Sequence, residues 1–340
     1  MWAAGAIQTR RGQARDARLV FFVVASTVTM LMIGLRFEVG GDWVAYMRTY
    51  EDIVFLTLPN ALQRSDPAYG ALNWLSAQFD LGVTPVNLIC GGLFTGGVAR
   101  LAWKQPNPAL AMLVAVPYLI IVVAMGYTRQ AAAIGIVCFA IADASNQKLV
   151  RLVSLIGIAA LFHKTAILIL PIALVPILRR NFIFGFIGAV LFISLFVLIL
   201  RDSSDRLITN YVQGDYDSQG AMIRVSMNVL AAGIFIAFRT KFEIEDFQKS
   251  FWMVCSILSI GSVAIFFVAS ATSGLDRISL YFIPLQLVTF SRLPQILGRG
   301  KAATNPSILI LIIFYCVSVQ FVWLNYASHA ENWVPYSINI

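Results

Sequence analysis

The sequence predicts an all-α polytopic membrane protein with about eleven transmembrane helices, its N-terminus inside the cell and its C-terminus outside. Three observations lead there. Hydrophobic residues make up 59% of the 340 and charged residues only 12%, against about 25% charged in soluble domains; mean hydropathy is +0.78. Apolar runs close to the roughly 20 residues needed to cross a hydrocarbon core recur along the chain. Finally, the polar stretches between them fall into two alternating sets, one of them rich in Lys and Arg, as orientation by positive charge requires.

The elements follow in order. Residues 1–18 form a basic cytoplasmic N-terminus with Arg10, Arg11, Arg15 and Arg18. The run 19–35 resembles a signal peptide, but Arg36-Phe37-Glu38 stands where small cleavage-site residues belong, so a retained first helix is expected. Residues 19–340 then read as a single transmembrane domain. Within it, 43–83 is too polar to cross and too aromatic for a free linker, so one or two amphipathic helices are expected on the outer surface. Long spans are expected at 84–103, 107–125, 181–200, 221–238, 250–271 and 307–326, and shorter ones at 129–143, 149–162, 165–178 and 276–291. Pro117, Pro171, Pro176 and Pro284 lie inside spans, where they kink helices that border a cavity.

With the arginine-rich N-terminus inside, the inner loops carry Arg100/Lys104, Lys148/Arg151, Arg179/Arg180, Arg239/Lys241/Lys249 and Arg292/Arg299/Lys301. The outer set mixes charges: Arg36 to Asp66 after the first span, Arg129, His163-Lys164, a loop at 201–220, Arg224 and Asp276-Arg277. The chemistry is therefore expected at the outer rim.

Several function classes drop out. A net charge of +8 suggests nucleic acid in a soluble protein, but here the charge sits in loops that set orientation, so nucleic acid is not an expected partner. Cys90, Cys138, Cys255 and Cys316 each lie in an apolar run and read as small buried hydrophobes. Two histidines are too few for a histidine-built metal centre, and no Walker loop, nucleophile elbow or zinc motif occurs. No metal or other cofactor is expected.

The candidate residues each carry two readings. Arg36 at the membrane edge, followed by Gly40-Gly41-Asp42, could hold a phosphate while Asp42 takes a proton from a hydroxyl; equally it could snorkel and pair with a loop carboxylate. Arg129, Arg224 and Arg277 sit at the outer ends of spans, and arginines from distant spans at one depth suggest an anionic ligand. Helical spacing puts Tyr281 one turn below Arg277, fit for a sugar beside a diphosphate or for structure alone. His163, before Lys164-Thr165, is a proton exchanger or part of a capping turn.

Taken together, Arg36-x3-Gly40-x-Asp42-x3-Tyr46, Asp66-Pro67-Ala68-Tyr69, Gly126-x2-Arg129-Gln130, Leu161-Phe162-His163-Lys164-Thr165, Asp276-Arg277-Ile278-x2-Tyr281 and Trp333-x-Pro335-Tyr336 run in order over nearly the whole chain. This set resembles the EpsG family of Wzy-type exopolysaccharide polymerases. The resemblance implies a GT-C-like glycosyltransferase of the bacterial inner membrane, with its active site facing the periplasm. Such enzymes transfer a growing glycan from undecaprenyl diphosphate to a sugar hydroxyl of an incoming lipid-linked repeat unit. Its expected partners are that lipid-linked oligosaccharide, the bilayer, and a flippase and chain-length regulator of the same pathway. On this reading Asp42 or His163 is catalytic, Asp42 being preferred. Arg36, Arg129, Arg224 and Arg277 hold the diphosphate, and Tyr46 and Tyr281 face sugar. A lipid-linked glycan ligase and a flippase or transporter are the rival readings.

Overall fold

Residues 128–142 are mostly alanine, glycine and aliphatic residues, with no charge after Arg129. In the computed structural model they form the most enclosed helix of the bundle, buried on nearly every side. The structure describes residues 1–3, 15–178, 190, 194, 219–268, 277–298 and 304–338. Among these the fold is helical throughout, without strands, and in chain order the main helices are α1 (Arg15–Gly34), α2 (Trp43–Val54), α3 (Leu58–Arg64), α4 (Pro67–Gln78), α5 (Thr84–Trp103), α6 (Pro108–Ala115), α7 (Thr128–Ala142), α8 (Leu149–Phe162), α9 (Ile169–Leu178), α10 (Gln219–Ala237), α11 (Asp246–Val268), α12 (Pro284–Ile296) and α13 (Pro306–Tyr326).

Small residues let α7 lie backbone-to-backbone on α5. A Cβ placed on Gly97 would collide with the carbonyl of Gly135, and one on Gly135 with the main chain of Leu93 and Phe94. Lipid tails are as apolar as leucine, so helices in a bilayer associate through such close packing rather than through a hydrophobic drive. Gly34 and Gly91 bring α1 against α5 in the same way. α1, α5 and α13 contain membrane-length apolar stretches, and only 11% of the α13 stretch is buried. Ile310, Leu311, Phe314, Val317 and Phe321 point outward, where acyl chains and not water are the matching solvent. This is a membrane protein.

Proline accounts for most departures from the expected spans. The segment 107–125 begins as α6 but becomes a π-helix over Val116–Ala124. Pro117 brings no N–H to the ladder, and the main chain widens there into a π-helix. The segment 276–291 is interrupted by a 3₁₀ turn at Leu280–Phe282, after which Pro284 opens α12. Residues 43–83 form three short helices rather than one or two, because Pro59 and Pro67 each stand at a helix start. The segment 165–178 opens as a 3₁₀ turn at Lys164–Leu168 before α9. The expected span 181–200 apart from 190 and 194, residues 201–218 of the expected loop, Asp276, Arg10, Arg11, Arg179, Arg180, Arg299 and Lys301 lie outside the described residues.

Contacts between loops divide the bundle into two ends. At one, Arg36 meets Thr128, Asp66 meets both Arg129 and Lys164, and Gln130 meets Arg277. A tail after α13 closes over this end: Phe37 N–H donates to Ser337, Gly40 N–H to Asn332, and the Trp333 indole to the π-helix carbonyl of Ile121, 2.8 Å away. At the other end, Asp143 gathers Arg100, Lys104 and Arg151, while Arg292 reaches Gln105 and the Glu243 carbonyl.

Candidate active site

Three consecutive residues at the start of α7 organise the first end. Thr128 accepts a 2.6 Å hydrogen bond from the Arg36 guanidinium. Arg129 forms a 2.8 Å ion pair with Asp66 and reaches Ser65 at 3.3 Å. Gln130 donates its amide to the main-chain carbonyl of Arg277 at 2.5 Å. One helical turn thus ties together the 36–42 turn, the Asp66 start of α4, and the segment before α12.

Arg36 is enclosed at 2% exposure, although it was expected at the phosphate. Its Nε donates to the Val39 carbonyl at 3.2 Å and its Nη1 to the Ile33 carbonyl. A guanidinium spread over two carbonyls and a hydroxyl closes the end of α1 and shapes the following turn. That turn needs Gly40 at φ +108°, with Met125 so near that a side chain there would collide with its carbonyl. The product of the turn is the position of Asp42.

Asp42 opens α2 without capping it and makes no side-chain hydrogen bond or ion pair among the described residues. Burial raises its pKa above the ordinary carboxylate value, partly opposed by Arg277 and then Arg129. Both guanidiniums therefore act on one carboxylate that is bonded to neither. Asp66 is likewise raised by burial, against Arg129 and the Lys164 N–H.

The aromatic wall comes from the amphipathic segment. Tyr46 and Tyr69 stand 5.6 Å apart, and the Arg129 guanidinium lies 5.8 and 5.9 Å from their ring centroids. A cation held over two rings and paired with one carboxylate has its plane fixed in advance. Burial holds the Tyr46 phenol protonated, its pKa pushed up to about 12.

His163, at the junction between α8 and the following 3₁₀ turn, is buried with Nδ1 2.6 Å from the Thr165 hydroxyl, which lies 3.4 Å from that of Tyr281. Burial, then Arg277 and Arg129, push its pKa well below the ordinary histidine value, so the imidazole is neutral. The segment carrying Arg277 and Tyr281 is not a continuous α-helix. A 3₁₀ turn starts at Leu280, with Arg277 exposed before it and Tyr281 buried within it. The Arg224 guanidinium lies 6.0 Å from the Tyr118 ring of the π-helix. It sits one turn before Asn228, whose amide donates to the Ser279 carbonyl at 2.9 Å, so α10 supports the same segment that carries Arg277.

A family model for EpsG matches residues 19–338. The chain belongs to the EpsG family. EpsG is a family of polysaccharide polymerases, and this activity now stands beside a site built from residues far apart in sequence. No curated protein and no solved structure matches the chain. Within this EpsG-family chain, sequence reasoning assigned no individual role to Asp66, Tyr69 or Gln130, and to Thr165 only that of a cap. All four stand in the ordered motifs; what the motifs could not convey was that Asp66 pairs with Arg129.

Proposed function

We propose that this chain transfers a growing glycan from undecaprenyl diphosphate to a sugar hydroxyl of an incoming lipid-linked repeat unit, at the periplasmic face of the bacterial inner membrane. The carrying observation is the first turn of α7, which sets Arg129 and the segment bearing Arg277 around the unbonded carboxylate of Asp42. The orientation follows from charge: the end gathered around Asp143 has three of the inner-loop cations and would face the cytoplasm. The eleven-span count and the single transmembrane domain belong to the same proposal.

The bond formed joins the acceptor hydroxyl oxygen to the anomeric carbon; the bond broken joins that carbon to the diphosphate. Arg277, exposed and without an ion pair among the described residues, and Arg129, stacked on Tyr46 and Tyr69, take up the charge that grows on the leaving diphosphate. Asp42 takes the acceptor proton, its raised pKa improving its strength as a base. His163 is the alternative base; it is neutral but already bonded to Thr165. Arg36 contributes by holding the Asp42 turn, and Tyr46 and Tyr281 border the sugar path. No step calls for a metal.

Arg277→Ala is the direct test. Losing one preorganised donor to a developing anion costs on the order of 3 kcal/mol, about a hundredfold in rate. Surface glycan from the variant should be short, with single lipid-linked units accumulating. Long polymer at normal levels would remove Arg277 from the reaction. Lipid-linked polymer that is complete but untransferred would favour a ligase, and units trapped on the cytoplasmic face would favour a flippase.

A further inference from the structure

The end of the bundle opposite the site holds a second concentration of charge, built differently. Asp143 follows α7 with its side chain only 9% exposed. Arg100 grips it with two bonds, at 2.9 and 2.8 Å; Lys104 adds a contact at 3.0 Å and Arg151 one at 3.6 Å. One carboxylate therefore lies beneath three cations, whose side chains remain 39%, 42% and 43% exposed. Such a cluster keeps two unneutralised positive charges turned outward.

Helix stability does not account for the arrangement. Arg151 lies in the first turn of α8, which holds no acidic residue, with exposed Lys148 just before it. Cations are disfavoured at that end of a helix, where the free N–H groups already present positive potential. The Arg151 guanidinium is held outward, 5.3 Å from the Phe139 ring centroid. Beside it, Val150 is 79% exposed, and Val153, Ile158 and Leu161 continue the same outward stripe along α8, past Gly157, beyond whose Cα there is open space. A headgroup-sized positive site thus opens directly onto an apolar track that runs along the helix.

We propose that Arg100, Lys104 and Arg151, with the N-terminus of α8, bind the phosphate of an anionic phospholipid whose acyl chain lies along the exposed stripe of α8. The occupant is a lipid rather than a free anion, because the apolar track begins where the cations end. Asp143 is the counter-charge that lets three cations converge while the site is empty.

Binding is read by native mass spectrometry of the full chain with phosphatidylglycerol, and by thermal unfolding in phosphatidylcholine nanodiscs with and without phosphatidylglycerol. A basic residue near anionic lipid contributes roughly fivefold in binding, so Arg151→Gln should lose about fivefold and the Arg100→Gln/Lys104→Gln/Arg151→Gln variant on the order of a hundredfold. Equal phosphatidylglycerol retention by wild type and Arg151→Gln, a variant that removes only the longest contact to Asp143, overturns the proposal. Stabilisation by inorganic phosphate that equals that by phosphatidylglycerol overturns the lipid assignment. Asp143→Asn should unfold at lower temperature in phosphatidylcholine and recover with phosphatidylglycerol. No recovery would mean that the cations serve only to hold Asp143.

Discussion

The two ends of α7 carry similar residue types and use them in opposite ways. After Ala142, both oxygens of Asp143 are occupied by cations. At Thr128, the ion pair of Arg129 and Asp66 is only part of the charge present: Asp42 is unbonded, Arg277 is exposed, and an imidazole lies buried and neutral. A saturated carboxylate has no capacity left for chemistry; an unsaturated one, raised in pKa by burial, is poised to take a proton. The lesson is that charge alone does not distinguish the two ends. Unmet bonding capacity among the described residues does.

The comparison breaks most decisively at Asp42. Asp42→Asn should lower polymerisation by about 10²–10⁴-fold, the usual range for a general base. The base must be ionised, so activity falls as pH drops through the Asp42 pKa, and because burial raises that pKa the acid limb lies above the ordinary value of 3.8. In proteoliposomes, His163→Gln should leave that limb in place; its disappearance would move the base to His163. A smaller loss is expected for Gln130→Ala, which removes the bond to the Arg277 carbonyl. About 1 kcal/mol, or a fewfold slower chain growth, is the scale for one such hydrogen bond; wild-type growth would mean that Arg277 is held without Gln130. The smallest effect belongs to Arg64→Ala. Its ion pair with Asp52 is half-exposed on both sides, so polymer length should be unchanged and stability altered by less than about 0.5 kcal/mol.

Much of the bundle was legible because lipid imposes a simple rule, a long apolar run without charge. The run 84–103 coincides with α5 and 149–162 with α8. The tightness of the α5–α7 contact was less legible, since Gly97 and Gly135 carry no mark in hydropathy. Proline positions were visible but not their outcomes: Pro117 lies in a π-helix, whereas a 3₁₀ turn precedes Pro284. At the site, the reading found the arginines by their place at the ends of spans, yet place did not separate them. Arg36 is walled in by its own turn, Arg129 is pinned by Asp66, and Arg277 is exposed. That ranking depends on three-dimensional partners, as does the gathering of Arg100 and Lys104 from the end of α5, and Arg151 from the start of α8, around Asp143.

The contact of Gly97 with Gly135 has one more consequence. Two main chains in direct touch leave no cushion of side chains to absorb a shift, and α7, at 15 residues, is a stiff rod of about 22 Å. Whatever tugs on its Asp143 tip must either move the whole shaft or be resisted by it. Under the proposed lipid site and the proposed reaction, the makeup of one leaflet would act on the Thr128 end through this rod.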